Sequence, residues 1–224
     1  MKTLFKTLLL SAVFTIAAVA GASAQYVALV DHMGVAVRAK AYTDVNGSPY
    51  LFEDWVKGSV TMTKGSYFEG MDLMYDLVTD ELIFKSEKGE SKNFSDQVRE
   101  FSLKDEKGIV HVFRNGFSPI DDAKPITFYE VLVDEKTALL KRTVRIIHEE
   151  VGYSSATQVK SFQTKTSFYL AKDSKLTKIK NDKKSVLAAL PEKSAQLEAY
   201  IKAQKLDLKN DSHLVRLIAY YNSL

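Results

Sequence analysis

The chain offers four histidines, His32, His111, His148 and His213, and no cysteine, so nucleophilic or metal chemistry has few groups to draw on. His148-Glu149-Glu150 is half of a zinc-protease motif. The second histidine would fall at Gly152, and the surrounding pattern is strand-like where that motif needs a helix. His111 lies inside an apolar run, where a satisfied core or half-buried histidine is the ordinary reading. Asp31-His32 has no nucleophile near it in sequence. No G-x-S-x-G elbow occurs, and without cysteine there is no thiol nucleophile.

Paired carboxylates are common (Glu53-Asp54, Asp80-Glu81, Asp121-Asp122, Glu149-Glu150), but neighbours on a strand point to opposite faces, so a sequence pair is not a catalytic pair. Glycine-rich phosphate loops are also missing. The sequence therefore assigns no catalytic residue, metal ligand or cofactor. A secreted hydrolase is the rival reading. It requires His111 or His148 to meet a carboxylate and a hydroxyl in one concave pocket.

Two features point to binding instead. Tyr50, Phe52 and Trp55 form a compact aromatic cluster that, with Tyr67 and Phe68, would line a groove for sugar, peptide or lipid. The competing role is a core plug closing one end of a sheet. Lys172 to Lys184 carries six lysines against Asp173 and Asp182, an excess suited to an anionic surface or to a solvated sheet edge protected from further pairing.

The elements that must position these groups follow from periodicity. Met71, Leu73 and Tyr75 alternate with Asp72 and Asp76. Leu82 and Phe84 alternate with Glu81 and Lys85, and Phe101 and Leu103 with Glu100 and Lys104, the period-two signature of half-buried strands. Ile109 to Phe113 and Thr127 to Val133 are apolar at consecutive positions, which predicts central strands covered on both faces. Lys64-Gly65, Thr79-Asp80, Lys88-Gly89, Lys107-Gly108 and Lys172-Asp173 punctuate the runs as turns. No interval holds a crossover helix, so an antiparallel meander of roughly seven to ten strands is expected.

After Lys183 the period changes. Leu214, Leu217, Ile218 and Tyr221 fall at helical spacing behind the cap residues Asn210, Asp211 and Ser212, and a helical pair or triplet should pack on the sheet. The fold class is α+β, a strongly curved, open-barrel-like antiparallel sheet with C-terminal helices.

Residues 1–24 read as a secretory signal peptide. Lys2 and Lys6 precede an uncharged run, and Ala22-Ser23-Ala24 offers small residues for cleavage before Gln25. Residues 25–180 then form the β domain and 181–224 the helical subdomain. Without Lys2 and Lys6, the 31 basic residues fall to 29 against 28 acidic ones. So even a balance argues against nucleic acid as partner. No further run is long enough to span a membrane, and a lipid anchor through an N-terminal cysteine is excluded.

Gly47-Ser48-Pro49-Tyr50-Leu51, Trp55 and Gly58, followed by Met71 to Asp76, Asp80-Glu81-Leu82, Phe101-Ser102-Leu103 and the closing Tyr220-Tyr221-Asn222, resemble a family of uncharacterised exported proteins of Bacteroidetes-type bacteria. The resemblance covers most of the mature chain and brings no activity or catalytic residue with it. At the level of architecture, the chain is similar to open β-barrels of the periplasmic lipoprotein-carrier kind. The expected role is a non-enzymatic binding or structural protein of the periplasm, outer-membrane surface or extracellular space. Its partner would be a small apolar or amphipathic ligand held between sheet and helices, a glycan, or an envelope protein.

Overall fold

Strand alternation and a helical tail are both realised in the computed structural model, which describes residues 34–36, 42, 44–151 and 158–224. The segment read as a signal peptide lies outside these residues, as does His32. Twelve strands form one sheet: β1 (Gly34–Ala36), β2 (Val45–Asn46), β3 (Val56–Met62), β4 (Tyr67–Asp76), β5 (Glu81–Lys85), β6 (Ser91–Phe94), β7 (Val98–Lys104), β8 (Val110–Arg114), β9 (Tyr129–Val133), β10 (Thr137–Val151), β11 (Gln158–Lys172) and β12 (Lys175–Ile179). Helices α1 (Lys183–Ala189), α2 (Ser194–Ala203) and α3 (Asp211–Ser223) follow, with a 3-10 turn at Pro191–Lys193 before α2.

The order β1-β6-β5-β4-β3-β7-β8-β9-β10-β11-β12 departs from a simple meander twice, where β1 lies beside β6 and where β7 returns to the free edge of β3. Alternation fixes which face a strand buries but not which edge it pairs. The sheet is mixed rather than wholly antiparallel, because β2 runs parallel to Lys160-Ser161 of β11. Two residues are too few to leave a periodic signal.

Residues directly opposite on antiparallel strands share a face. One face carries two apolar clusters in series. The first is built on β3, β4, β5, β7 and β8, around Val60, Leu73, Phe84, Phe101 and Leu103. The second joins Leu139, Phe168 and Leu170 to Val186, Leu197, Leu214, Leu217 and Ile218 of the helices. The four α3 stripe residues are all buried, Leu214, Leu217 and Ile218 fully so. The opposite face of β9 to β12 is covered by the 115–128 loop, whose Phe117, Ile120 and Ala123 pack with Tyr129, Leu140 and Tyr169. The start of β8 is not covered on both faces as its composition predicts: Ile109 and Val110 are more than half exposed. There they flank a turn and serve strand propensity rather than burial.

Gly58 is required by close approach. A Cβ there would stand 1.9 Å from the Ser102 carbonyl oxygen, beside a β-bulge where Gly70 of β4 takes φ +72° as the extra residue. Asn210 caps α3, its side chain accepting from the Ser212 N–H. At the other end Asn222 accepts from the Thr137 N–H (3.0 Å) and donates to the Thr137 carbonyl (2.9 Å), tying α3 to the first residue of β10. Thr137 is buried, so losing this clasp strands two backbone groups. Asn222→Ala is expected to lower stability by about 1–3 kcal/mol in urea denaturation, with native secondary structure retained.

Candidate functional site

The aromatic cluster is divided by the hairpin it sits on. Pro49 to Leu51 run beside the end of β4, with Leu51 N–H donating to the Tyr75 carbonyl and Leu77 N–H to that of Pro49. Tyr50 bridges Asp76 in this short pairing and lies outside the cleft lining. Leu51 and Phe52 pack on the first apolar cluster, and Trp55 is half-buried at the entry to β3. Phe52 and Trp55 share a cleft of about 540 Å³ with Leu51 and Val56, rimmed by Glu53, Asp54, Asp105, Glu106 and Lys107.

Tyr67 and Phe68 are not part of it. Tyr67 pairs with Thr61 at the far end of the β3–β4 hairpin, roughly 20 Å from Trp55 at about 3.3 Å per strand residue. It is 55% exposed, while Phe68 is a core residue.

Behind Phe52 runs a chain of charges. The Phe52 ring stands edge-on to His111 at 5.6 Å. His111 Nδ1 meets Glu130 Oε1 at 2.7 Å and Nε2 meets Asp105 Oδ2 at 3.5 Å. Lys141 Nζ lies 3.6 Å from the other Glu130 oxygen and 2.8 Å from Asp211 of α3. Desolvation works against the Asp105 charge, yet the Ile109 N–H, His111 and the Lys107 N–H together hold its carboxyl below the usual range. Desolvation likewise opposes the Lys141 charge, and Asp211 and Glu130 outweigh it to raise the amine.

Both ring nitrogens of His111 face acceptors, and among the described residues no hydroxyl hydrogen-bonds to it. This geometry fixes a ring in place and leaves neither nitrogen to serve a nucleophile. His148 is exposed on β10 opposite Ser161. His213 accepts from the Asp207 N–H at 3.0 Å, closing the turn before α3. Among the described residues no group of His, Asp and Glu is arranged to hold a metal.

The lysine-rich segment supplies β12, the last strand in the order, so it is a sheet edge. Lys172, Lys178 and Lys183 are held by Glu192, Asp121 and Glu198. The interface between sheet and helices, where an amphipathic ligand was expected, is filled by the fully buried Leu139, Val186, Leu197 and Leu217.

Sequence reasoning passed over a second cleft. About 520 Å³ opens between the β4–β5 turn, the β6–β7 link and the end of the 115–128 loop. It is lined by Leu82, Phe94, Val98, Ile126 and Phe128, with Asp80, Asn93 and Asn115 among the polar groups. Asp80 holds φ 60°, an uncommon conformation that aspartate tolerates better than most side chains. Its Oδ1 accepts from the Tyr75 hydroxyl at 2.5 Å, and both its oxygens lie near the Phe128 N–H at 3.3–3.4 Å. Burial pushes this carboxyl up to about 6, against the lowering effect of those donors and of Arg142. Burial, and then the charge and contact of Asp80, raise the Tyr75 phenol well above its ordinary range. Only the Thr79-Asp80 turn was legible, because Phe128 arrives from 48 residues away.

Comparison of the chain with protein-family models, curated proteins and solved structures gives no match.

Asp80 makes stability depend on pH. Its carboxyl ionises at 3.8 as an ordinary side chain and at about 6 in the fold. Between these values the folded state keeps a proton that the unfolded state releases. Stability therefore falls as pH rises through this window, and the loss is complete above it. Asp80→Asn keeps acceptors for Tyr75 and Phe128 without the charge. It should match the parent in chemical denaturation below about pH 4 and exceed it by about 1–3 kcal/mol near pH 7.5.

Proposed function

We propose that this chain is an exported, non-enzymatic binding protein whose mature form begins at Gln25 and whose binding surface is the cleft at Phe52 and Trp55. The ligand class that fits is a glycan. The carrying observation is that Trp55 is only half-buried beside Phe52, in a cleft of about 540 Å³ with carboxylates on its rim. A flat indole face takes the apolar face of a sugar ring, and carboxylate oxygens accept from hydroxyls. The His111 to Asp211 charge chain has the role of holding Phe52 and the β7–β8 turn rigid beneath the cleft.

Curvature of the sheet belongs to the same reading. Residues 95–97 carry the chain from β6 to β7, which stand four strand spacings apart in the order. On a flat sheet that is about 19 Å, whereas four residue steps reach about 14 Å. A sheet curled around the first apolar cluster meets this limit. It also gives the cluster two ends, with the Trp55 cleft at one of them.

Trp55 is the only tryptophan in the sequence, so its emission reports on the cleft. Titration with oligosaccharides released from bacterial envelope polysaccharide should shift or quench that emission saturably, and Phe52→Ala should weaken the response about tenfold or more. A flat titration across neutral and acidic glycans would refute the glycan reading. A response to cationic peptides alone would move the partner class to protein. Export has its own check. Intact mass of the protein recovered from the cell envelope should correspond to residues 25–224, and a mass retaining residues 1–24 would contradict cleavage.

A further inference from the structure

Asparagine is followed by glycine twice in the chain, at Asn46-Gly47 and at Asn115-Gly116. This dipeptide is open to intramolecular ring closure, because no Cβ shields the glycine nitrogen and the glycine backbone turns freely. The glycine nitrogen bonds to the asparagine side-chain carbonyl carbon, and the side-chain nitrogen leaves as ammonia. The fold treats the two pairs in opposite ways.

Asn115 is buried, and its side-chain amide donates to the Val98 carbonyl at 2.8 Å. Its main-chain N–H donates to the Arg99 carbonyl at 3.1 Å. The Gly116 N–H, which carries the attacking nitrogen, donates to the Pro125 carbonyl at 2.7 Å. Leaving group, backbone and nucleophile are thus each held by a separate partner. Ring closure there has to wait for a local opening of the β7–β8 edge and the 115–128 loop.

Asn46 and Gly47 are both exposed. Asn46 ends β2, whose pairing with Lys160-Ser161 is only two residues long. The Val45 N–H donates back to the Tyr42 carbonyl at 3.2 Å. Successive N–H groups of a strand point to opposite edges, so the Gly47 N–H, like that of Val45, points away from β11. Among the described residues, the nearest atom that a Cβ on Gly47 would meet belongs to the Phe162 ring, 3.7 Å away. The pair has room to turn, and water reaches it.

We infer that Asn46 is a spontaneous modification site of the folded protein, where Gly47 closes a succinimide that water opens to aspartate or isoaspartate, and that Asn115 is spared. One ammonia leaves and one water enters, with no change of oxidation state. Either product adds one negative charge. Isoaspartate also routes the main chain through the former side chain, which lengthens it by one methylene. That insertion falls between the β2–β11 pair and Ser48, whose carbonyl accepts from the Arg145 guanidinium. The site is independent of the glycan reading and stands if that reading fails.

The test is to age the purified protein in mildly alkaline buffer and follow both Asn-Gly peptides by mass spectrometry, using electron-transfer fragmentation to separate isoaspartate from aspartate. A parallel sample is aged unfolded in urea. In the fold, Asn46 should convert at least about tenfold faster than Asn115, which reacts only through openings. In urea that difference should collapse to a few-fold. Asn46→Gln should remove the acidic species that ion-exchange chromatography resolves from the aged parent. The inference is overturned if folded Asn46 converts no faster than Asn115, if Asn46 converts only in urea, or if the acidic species persists undiminished in Asn46→Gln.

Discussion

The half of the β10–β11 hairpin next to Thr137 and Lys172 buries both of its faces, and much of the C-terminal part of the chain packs there. Each strand runs 15 residues in unbroken register, from Thr137↔Lys172 to Val151↔Gln158. Leu139, Phe168 and Leu170 project to one side, and Ala138, Leu140 and Tyr169 to the other. A helix the length of α3 is marginal alone in water. What holds it is the burial of Leu214, Leu217, Ile218 and Tyr221 on the hairpin, at about 1.5–3 kcal/mol for each fully buried large side chain. The 115–128 loop does the same for the opposite face with Phe117, Ile120 and Ala123. With no cysteine in the chain, no disulfide can replace this packing.

A band of charge separates the two apolar clusters on the helix-bearing face. Phe113 pairs with Glu130, Glu130 with Lys141, and Lys141 with Phe168. Reading across the sheet therefore passes from apolar cluster to ion pair to apolar cluster. Half-buried ion pairs add little net stability, because desolvation offsets their attraction. Misalignment is costly, however, since a slip by one residue turns Glu130 or Lys141 into the aromatic core and leaves the other charge without its partner. The band also anchors α3 through Asp211. One polar row thus sets both the register of β8 to β10 and the seat of the last helix.

What the sequence disclosed divides along the range of the interactions. The α3 stripe and its Asn210 cap are local, and both were legible. So were the half-buried strands, where alternation sorts Leu73 and Tyr75 from Asp72. Edge choice was not legible, because nothing in the side chains of β7 distinguishes the free edge of β3 from that of β6. The aromatic cluster failed in part for a related reason. Trp55 and Tyr67 lie only twelve positions apart, but an antiparallel hairpin sends them to opposite ends. Phe68 is contiguous with Tyr67 and faces the other way, as adjacent strand residues must. His111 read correctly as a half-buried histidine, whereas its partners Glu130 and Lys141 come from strands that only the folded sheet brings alongside.

The two ends of the first apolar cluster treat their carboxylates differently. At the Trp55 end, Asp105 receives the N–H groups of Ile109 and Lys107 and lies beside His111, so its charge is compensated in place. At the opposite end, Asp80 takes φ 60°, accepts from the Tyr75 hydroxyl and the Phe128 N–H, and is lowered by Arg142 through space without an ion pair, while burial raises it. The Arg142 guanidinium itself pairs with the exposed Asp122. Stability alone would be better served by a neutral side chain at position 80, since the fold loses free energy each time that carboxyl ionises.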